Sequence, residues 1–292
     1  MRLVAARALA VLSPVIYEPV VRAALAEDFG LGGDITSDAT IPAETHARGS
    51  LIARRPGVLA GVDAALFTFR VLDPQARVEV FARDGEGVDA GSAIATVSAR
   101  ARALLGAERT ALNLLSHLSG IATATARYVE ACGNARCSIV ETRKTLPGLR
   151  ALEKYAVRAG GGANHRLRLD DAMLIKDNHI AIAGGIGRAL EAARAHAGHL
   201  VKIEIEVDSL GQLDEVLACA GGVNCILLDN FSVSDLHEAV RRVAGRAKLE
   251  ASGGITLENV ASVAASGVDI ISVGALTHSV IALDIGLDVE PG

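Results

Sequence analysis

The 292-residue chain has room for one large domain and a smaller one, and with half of its residues apolar it can bury a core without staples. A net charge of −5 excludes a general nucleic-acid or anionic-membrane surface, so any anion site must be local. No apolar run reaches the ~20 residues needed to span a bilayer, and the lack of Trp beside abundant Ala, Val, Leu and Gly predicts helices packed closely on a parallel sheet, an α/β protein.

The first thirteen residues are apolar but are broken by Arg7 and stopped by Pro14, without a small-residue cleavage pattern, which predicts a helix start or a ragged end. Cys132, Cys137, Cys219 and Cys225 form no CxxC pair, so the expectation is a reducing, cytoplasmic setting in which they fill core space. An amphipathic helix is predicted over Val20–Ala26, and β-branched segments follow around Arg48–Ala53 and Arg77–Phe81. Asp84-Gly85, Gly87 and Gly91 punctuate them as turns, the pattern of a small α+β sandwich. Helical spacing then runs from Leu104 to Ala131.

From Ser138 onward short apolar runs recur: Ser138–Val140, Met173–Ile175, Val201–Val207, Cys225–Leu228, Lys248–Ala251 and Ile270–Val273. Each ends in polar or glycine residues, as strands alternating with helices do, and in βα-barrels the reacting groups sit at those carboxyl ends. These runs are fewer than a closed barrel requires, so the barrel is expected to be incomplete and covered at its gap by the other domain. The tail Ala282–Val289 alternates like a strand that returns to the first domain. The expected division is residues 1–112 and 113–279, with a tail from about 280 to 292.

Between Glu141 and His179 the acidic chain turns cationic. Arg150, Lys154 and Arg158 have helical spacing and read as a solvated face. Arg143, Lys144, His165, Arg166 and Lys176 fall at strand ends or near the glycine-rich loop Gly160-Gly161-Gly162, where Arg can grip a carboxylate or phosphate and Lys can meet phosphate as a point charge. Glu206 and Asp229 each close an apolar run; such carboxylates serve as helix caps, accept from ribose hydroxyls or hold Mg²⁺. Ser252-Gly253-Gly254-Ile255 is expected to open a helix and cradle phosphate with backbone N–H groups, with Gly274-Ala275 as its second half. Gly184-Gly185-Ile186-Gly187 lacks the third glycine of a dinucleotide loop and reads as a turn before a helix.

The segments Glu141-Thr142-Arg143-Lys144-Thr145, Asn164-His165-Arg166 leading to Leu174-Ile175-Lys176-Asp177-Asn178-His179, Leu228-Asp229-Asn230-Phe231 and Ser252-Gly253-Gly254-Ile255 resemble the quinolinate phosphoribosyltransferases, as do Gly30–Ser37 and Gly267–Gly274. The likeness covers the chain from about residue 17 to its end. It implies an N-terminal α/β sandwich on an open α/β barrel, in a homodimer whose neighbouring sandwich closes each site. It also implies quinolinate and phosphoribosyl pyrophosphate as substrates, Mg²⁺ as cofactor, and transfer with decarboxylation to nicotinate mononucleotide in NAD biosynthesis. By position, Arg143, His165, Arg166 and Lys176 would meet quinolinate together with Arg109 of the partner subunit. Lys144, Glu206, Asp229, Ser252, Gly253, Gly254 and Gly274 would serve the phosphoribosyl side, with Lys144, Glu206 and Asp229 catalytic and the two carboxylates on the metal. Arg168 stands where many members of the family carry glycine, which bears on the shape of that loop.

Three other readings compete. One is the related transferase-like protein linked to molybdate transport. Another is a Schiff-base lyase using Lys144 or Lys176. The third is a dicarboxylate-binding module without catalysis.

Overall fold

Two units, each with its own main sheet, share the chain. The first comprises Met1–Ala126, Thr145–Gly161 and Leu276–Gly292, and the second Arg127–Lys144 and Gly162–Ala275. The computed structural model describes residues 9–134 and 136–291; most of the N-terminal apolar stretch lies outside them.

In chain order the elements are α1 (Pro14–Phe29), α2 (Ile35–Thr40), β1 (His46–Ala53), β2 (Gly57–Val58), α3 (Val62–Leu72), β3 (Arg77–Val80), β4 (Gly87–Val88), β5 (Ala93–Arg100), α4 (Ala101–Cys132), β6 (Ser138–Val140), α5 (Arg150–Ala159) and β7 (Met173–Ile175). There follow α6 (Asp177–Ala183), α7 (Ile186–His196), β8 (Ile203–Val207), α8 (Leu210–Ala218), β9 (Cys225–Asp229), α9 (Val233–Val243), β10 (Lys248–Ser252), α10 (Val260–Ala265), β11 (Ile270–Ser272), α11 (Ala275–His278) and β12 (Ile285–Pro291).

In the first unit a sheet in the order β12-β1-β5-β3 is antiparallel throughout. Alternation along β1 buries Ala47, Gly49, Leu51 and Ala53. Leu51 shares a core with Phe69, Ile94, Leu104 and Leu115. The region of helical spacing is one continuous helix, α4, which buries Leu104, Ala107, Ala111, Leu115, Leu118 and Ala122 on one stripe. The tail returns as expected, with Leu287 of β12 opposite Leu51.

The unit runs past the expected boundary at residue 112 along α4 to Ala126, and it also takes in α5. The Tyr155 hydroxyl donates to Asp84 Oδ2 at 2.7 Å, and His117 Nε2 meets the buried Glu153 Oε1 at 2.8 Å. These are tertiary contacts that periodicity does not carry. They also correct the solvated face expected for this helix: Arg158 is exposed, but Lys154 is buried.

The second unit is a six-stranded sheet in the order β6-β11-β10-β9-β8-β7, every pair parallel. Its strands fall on the six apolar runs of the sequence. Among the described residues β6 and β7 are not paired with each other. The edge of β6 instead takes one bridge from Val140 to Ala163, whose N–H donates to the Ile139 carbonyl at 2.8 Å. The sheet is therefore open, with a stub of chain at the edge where a closed barrel would continue. No described helix is long and apolar enough to cross a membrane.

The four cysteines are free. Cys132 and Cys137 are buried and the other two half-buried, consistent with packing roles.

Candidate active site

Side chains alternate between the two faces of the second unit's strands. Ile203, Ile205, Val207, Ile226, Leu228, Leu249, Ala251 and Ile271 are buried apolar positions. The residues between them point to the opposite face and include Glu204, Glu206, Cys225, Asp229, Glu250, Ser252 and Ser272. Register aligns this polar set across strands, with Glu204 opposite Cys225 and Ser252 opposite Asp229. One face of the sheet thus packs under helices, and the other carries carboxylates and hydroxyls.

Cations gather at the β6 edge. Glu141, fully buried just after β6, accepts from Asn164 Nδ2 at 3.0 Å and from the His165 N–H at 3.2 Å. Those bonds bring Asn164-His165-Arg166 to the end of the strand that leads into Arg143 and Lys144. His165 Nδ1 accepts the Arg166 N–H at 2.8 Å, while its Nε2 lies 3.1 Å from Glu204 Oε2 and 3.6 Å from Glu250 Oε1. Arg166 Nη1 donates to the Ala172 carbonyl at 3.1 Å, but its Nε is buried and meets no acceptor. Burial, and after it the charge of Arg143, holds the Arg166 guanidinium below its ordinary pKa. A buried donor without an acceptor costs about 1–3 kcal/mol. A carboxylate placed here satisfies the donor and relieves the repulsion between the two guanidinium groups.

Lys176 follows β7 as the residue before α6, its backbone N–H donating to His179 Nδ1 at 2.9 Å, and its ammonium pairs with Glu206. Lys144 is exposed, with its N–H on Thr142 Oγ1 at 3.1 Å. Both lysines reach solvent, so neither has the desolvation that turns a lysine into a Schiff-base nucleophile.

At the next strand ends Asp229 Oδ2 accepts from Asn230 Nδ2 at 2.7 Å, and the Asn230 N–H donates to the Ser252 carbonyl at 2.8 Å. Asn230 is left-handed, with φ 57°. Gly253, with φ 88°, packs so closely that a Cβ there would lie 2.2 Å from Asn230 Oδ1. This interlock ties the loops after β9 and β10. It corrects one expectation, since the glycines do not open a helix: α10 begins only at Val260, and the turn before it is held by Asn259, which accepts from the Thr256 N–H at 2.9 Å. Gly274 does precede a helical turn, α11.

Gly160-Gly161-Gly162 has a different use from an anion loop. A Cβ on Gly160 would lie 2.3 Å from the Ala122 carbonyl, so this glycine lets α5 approach α4. Gly184-Gly185 is the expected turn, lying between α6 and α7. Arg168 has no positive φ, and its Nε binds Asp170 Oδ1 at 2.9 Å, so the loop does not require the glycine common in the family. Arg109 belongs to the first unit, exposed on α4 with no hydrogen bond or ion pair to described residues.

The structure therefore brings Arg143, His165, Arg166, Lys176, Glu206, Asp229, Ser252, Gly253, Gly254 and Gly274 to the carboxyl ends of one parallel sheet. Sequence reasoning passed over Glu204, Glu250 and Ser272. The signal was present in Ile203-Glu204-Ile205-Glu206-Val207, where an acidic residue at every second position of a strand marks a polar face.

A sheet end that gathers cations beside a glycine-bearing loop, with carboxylates between them, is the equipment of an α/β group-transfer enzyme. Family models agree: the quinolinate phosphoribosyl transferase N-terminal domain matches residues 34–119 and its C-terminal domain residues 121–288. The carboxylating nicotinate-nucleotide pyrophosphorylase of Mycobacterium leprae is 53% identical over 277 residues, covering 92% of this chain and 95% of that protein. A probable enzyme of the same name from Bacillus subtilis is 44% identical, covering 90% of each. The crystal structure of NadC from Streptococcus pyogenes superposes with a TM-score of 0.92 at 39% identity, covering 97% of this chain and 99% of that one. The chain belongs to the quinolinate phosphoribosyltransferase family.

Proposed function

We propose that this chain transfers the phosphoribosyl group of phosphoribosyl pyrophosphate to quinolinate with loss of pyrophosphate and CO₂, giving nicotinate mononucleotide for NAD biosynthesis. The observation that carries the reading is the buried Arg166 Nε without an acceptor, held against the charge of Arg143. Arg143, Arg166 and Lys176, with His165 beside them, receive the two carboxylates of quinolinate. That is more positive charge than a monocarboxylate can balance.

On the donor side, Lys144 faces the departing pyrophosphate, and the loops carrying Ser252, Gly253, Gly254 and Gly274 hold phosphate through backbone N–H groups. Loss of pyrophosphate leaves positive charge on the ribose, which Glu206 and Asp229 stabilise from the same sheet face. Their oxygen donors suit Mg²⁺; when bound, the ion supplies charge neutralisation for the pyrophosphate. Because Glu206 pairs with Lys176, the acid pocket and the sugar pocket share one ion pair. Ribosylation makes the ring nitrogen cationic, and only then can the adjacent carboxylate leave as CO₂, since the carbanion it leaves is neutralised next door. Transfer therefore precedes decarboxylation.

The working enzyme is a cytoplasmic homodimer in which Arg109 of the partner subunit completes the acid pocket. The test is incubation with quinolinate, phosphoribosyl pyrophosphate and Mg²⁺ while CO₂ and nicotinate mononucleotide are measured. Equimolar release of both is expected, and formation of neither ends the proposal.

A further inference from the structure

Glu141, Glu204 and Glu250 have no part in the chemistry above, and two of them face His165. Glu204 Oε2 is 3.1 Å and Glu250 Oε1 3.6 Å from His165 Nε2. These three side chains have the spacing of a metal site. The ring, however, is oriented otherwise: its Nδ1 accepts the Arg166 N–H at 2.8 Å, so the single hydrogen of the neutral imidazole sits on Nε2 and leaves no lone pair there for a metal. That N–H points at Glu204, with Glu250 just beyond hydrogen-bond reach, and the Nδ1 lone pair holds the backbone from which the Arg166 guanidinium extends. Glu204 also opposes the Arg143 charge felt by Arg166. The Cys225 thiol adds a donor to Glu204, kept protonated by burial and then by the charges of Glu204 and Glu250.

We propose that Glu204, with Glu250 beside it, is a positioning residue that holds His165 in its Nε2–H tautomer from inside the sheet and, through His165, aims Arg166 at the substrate carboxylate. The inference rests on the quinolinate assignment above. It assigns His165 to act on the acid through its neighbour, as a fixed neutral bracket, and makes the interior carboxylates determinants of acid affinity.

The first measurement is ¹⁵N NMR of the wild-type chain labelled in histidine, without substrate, with His165→Asn assigning the signal. The expected result is an unprotonated Nδ1 and a protonated Nε2; a protonated Nδ1 overturns the proposal. The second is kinetic. Glu204→Leu, which removes the acceptor, is expected to release the tautomer and raise the quinolinate KM about tenfold or more, the scale of one charge-assisted hydrogen bond, with the phosphoribosyl pyrophosphate KM unchanged. Glu204→Gln keeps an acceptor oxygen and is expected to restore most of the affinity. Equal rises in both KM values, or an unchanged quinolinate KM, overturn it. If Glu204→Leu does not fold, the wild-type tautomer and Glu204→Gln decide. Calorimetry of quinolinate on the wild-type chain separates the two claims: no binding removes the substrate assignment and leaves the tautomer result standing.

Discussion

Arg166 is held with a buried N–H that finds no acceptor, and its cost is offset only when an anion enters. Selectivity follows from that single atom and the Arg143 charge beside it. Nicotinate, with one carboxylate, leaves a guanidinium stranded, and sites built on such pairing discriminate by roughly 10⁴-fold. The expected outcome is a kcat/KM for nicotinate lower by about that factor, and comparable turnover of the two acids would refute the dicarboxylate pocket. Glu250 makes a second case. Burial, and next the Glu204 carboxylate, push it up to about 7 from an ordinary 4.5. The folded chain therefore holds a proton that the unfolded chain releases. Its stabilising effect is full below about pH 4.5 and is lost as pH rises through about 7. Glu250→Gln, which cannot titrate, is expected to flatten the fall in urea midpoint across this window. An identical slope in both proteins would show that Glu250 ionises normally.

At the scale of the element, the loop after β10 is the one assigned to the donor in the proposed function. Gly253 combines a φ of 88° with a Cβ position 2.2 Å from Asn230 Oδ1, whereas a Cβ on Gly254, at φ 60°, meets nothing within 4 Å. Gly254→Ala carries left-handed strain alone, roughly 1–2 kcal/mol, while Gly253→Ala adds a clash that pushes Asn230 and the neighbouring Asp229 aside. Gly253→Ala is thus expected to lose more urea stability and to raise the KM for phosphoribosyl pyrophosphate with quinolinate binding kept. Equal behaviour of the two variants would mean that the interlock does not matter. The same elements show what sequence can carry. The Ser138–Val140 and Met173–Ile175 strands were legible because short apolar runs between polar ends have few other readings. Arg143, Glu206 and Asp229 could be picked out because they stand at run ends, and Arg166 through the Asn164-His165-Arg166 segment. Glu204 and Glu250 were not, since within a strand they interrupt the apolar signal and acquire meaning only once register lays them on one face. The place of α5 was illegible for a related reason: the Tyr155 bond to Asp84 joins residues far apart in the chain, and no local pattern announces it.

At the scale of the whole molecule the question is whether one chain suffices. Arg109 is exposed on α4 and makes no hydrogen bond or ion pair with the described residues, so nothing in its own surroundings uses the charge. A surface arginine of this kind is ordinary on a helix. In the proposed dimer it instead supplies the last cation for quinolinate, and the assembly becomes a requirement for catalysis. Mixing two inactive variants decides between these roles. An Arg109→Ala subunit keeps its own Lys144, and a Lys144→Ala subunit keeps its Arg109. If Arg109 works across a two-fold interface, each mixed dimer rebuilds one intact site, and random exchange of equal amounts returns about a quarter of wild-type activity. If Arg109 works within its own subunit, every site in the mixture lacks one group and activity stays absent. Recovery after demonstrated exchange is the expected outcome, and its absence would return Arg109 to the helix surface.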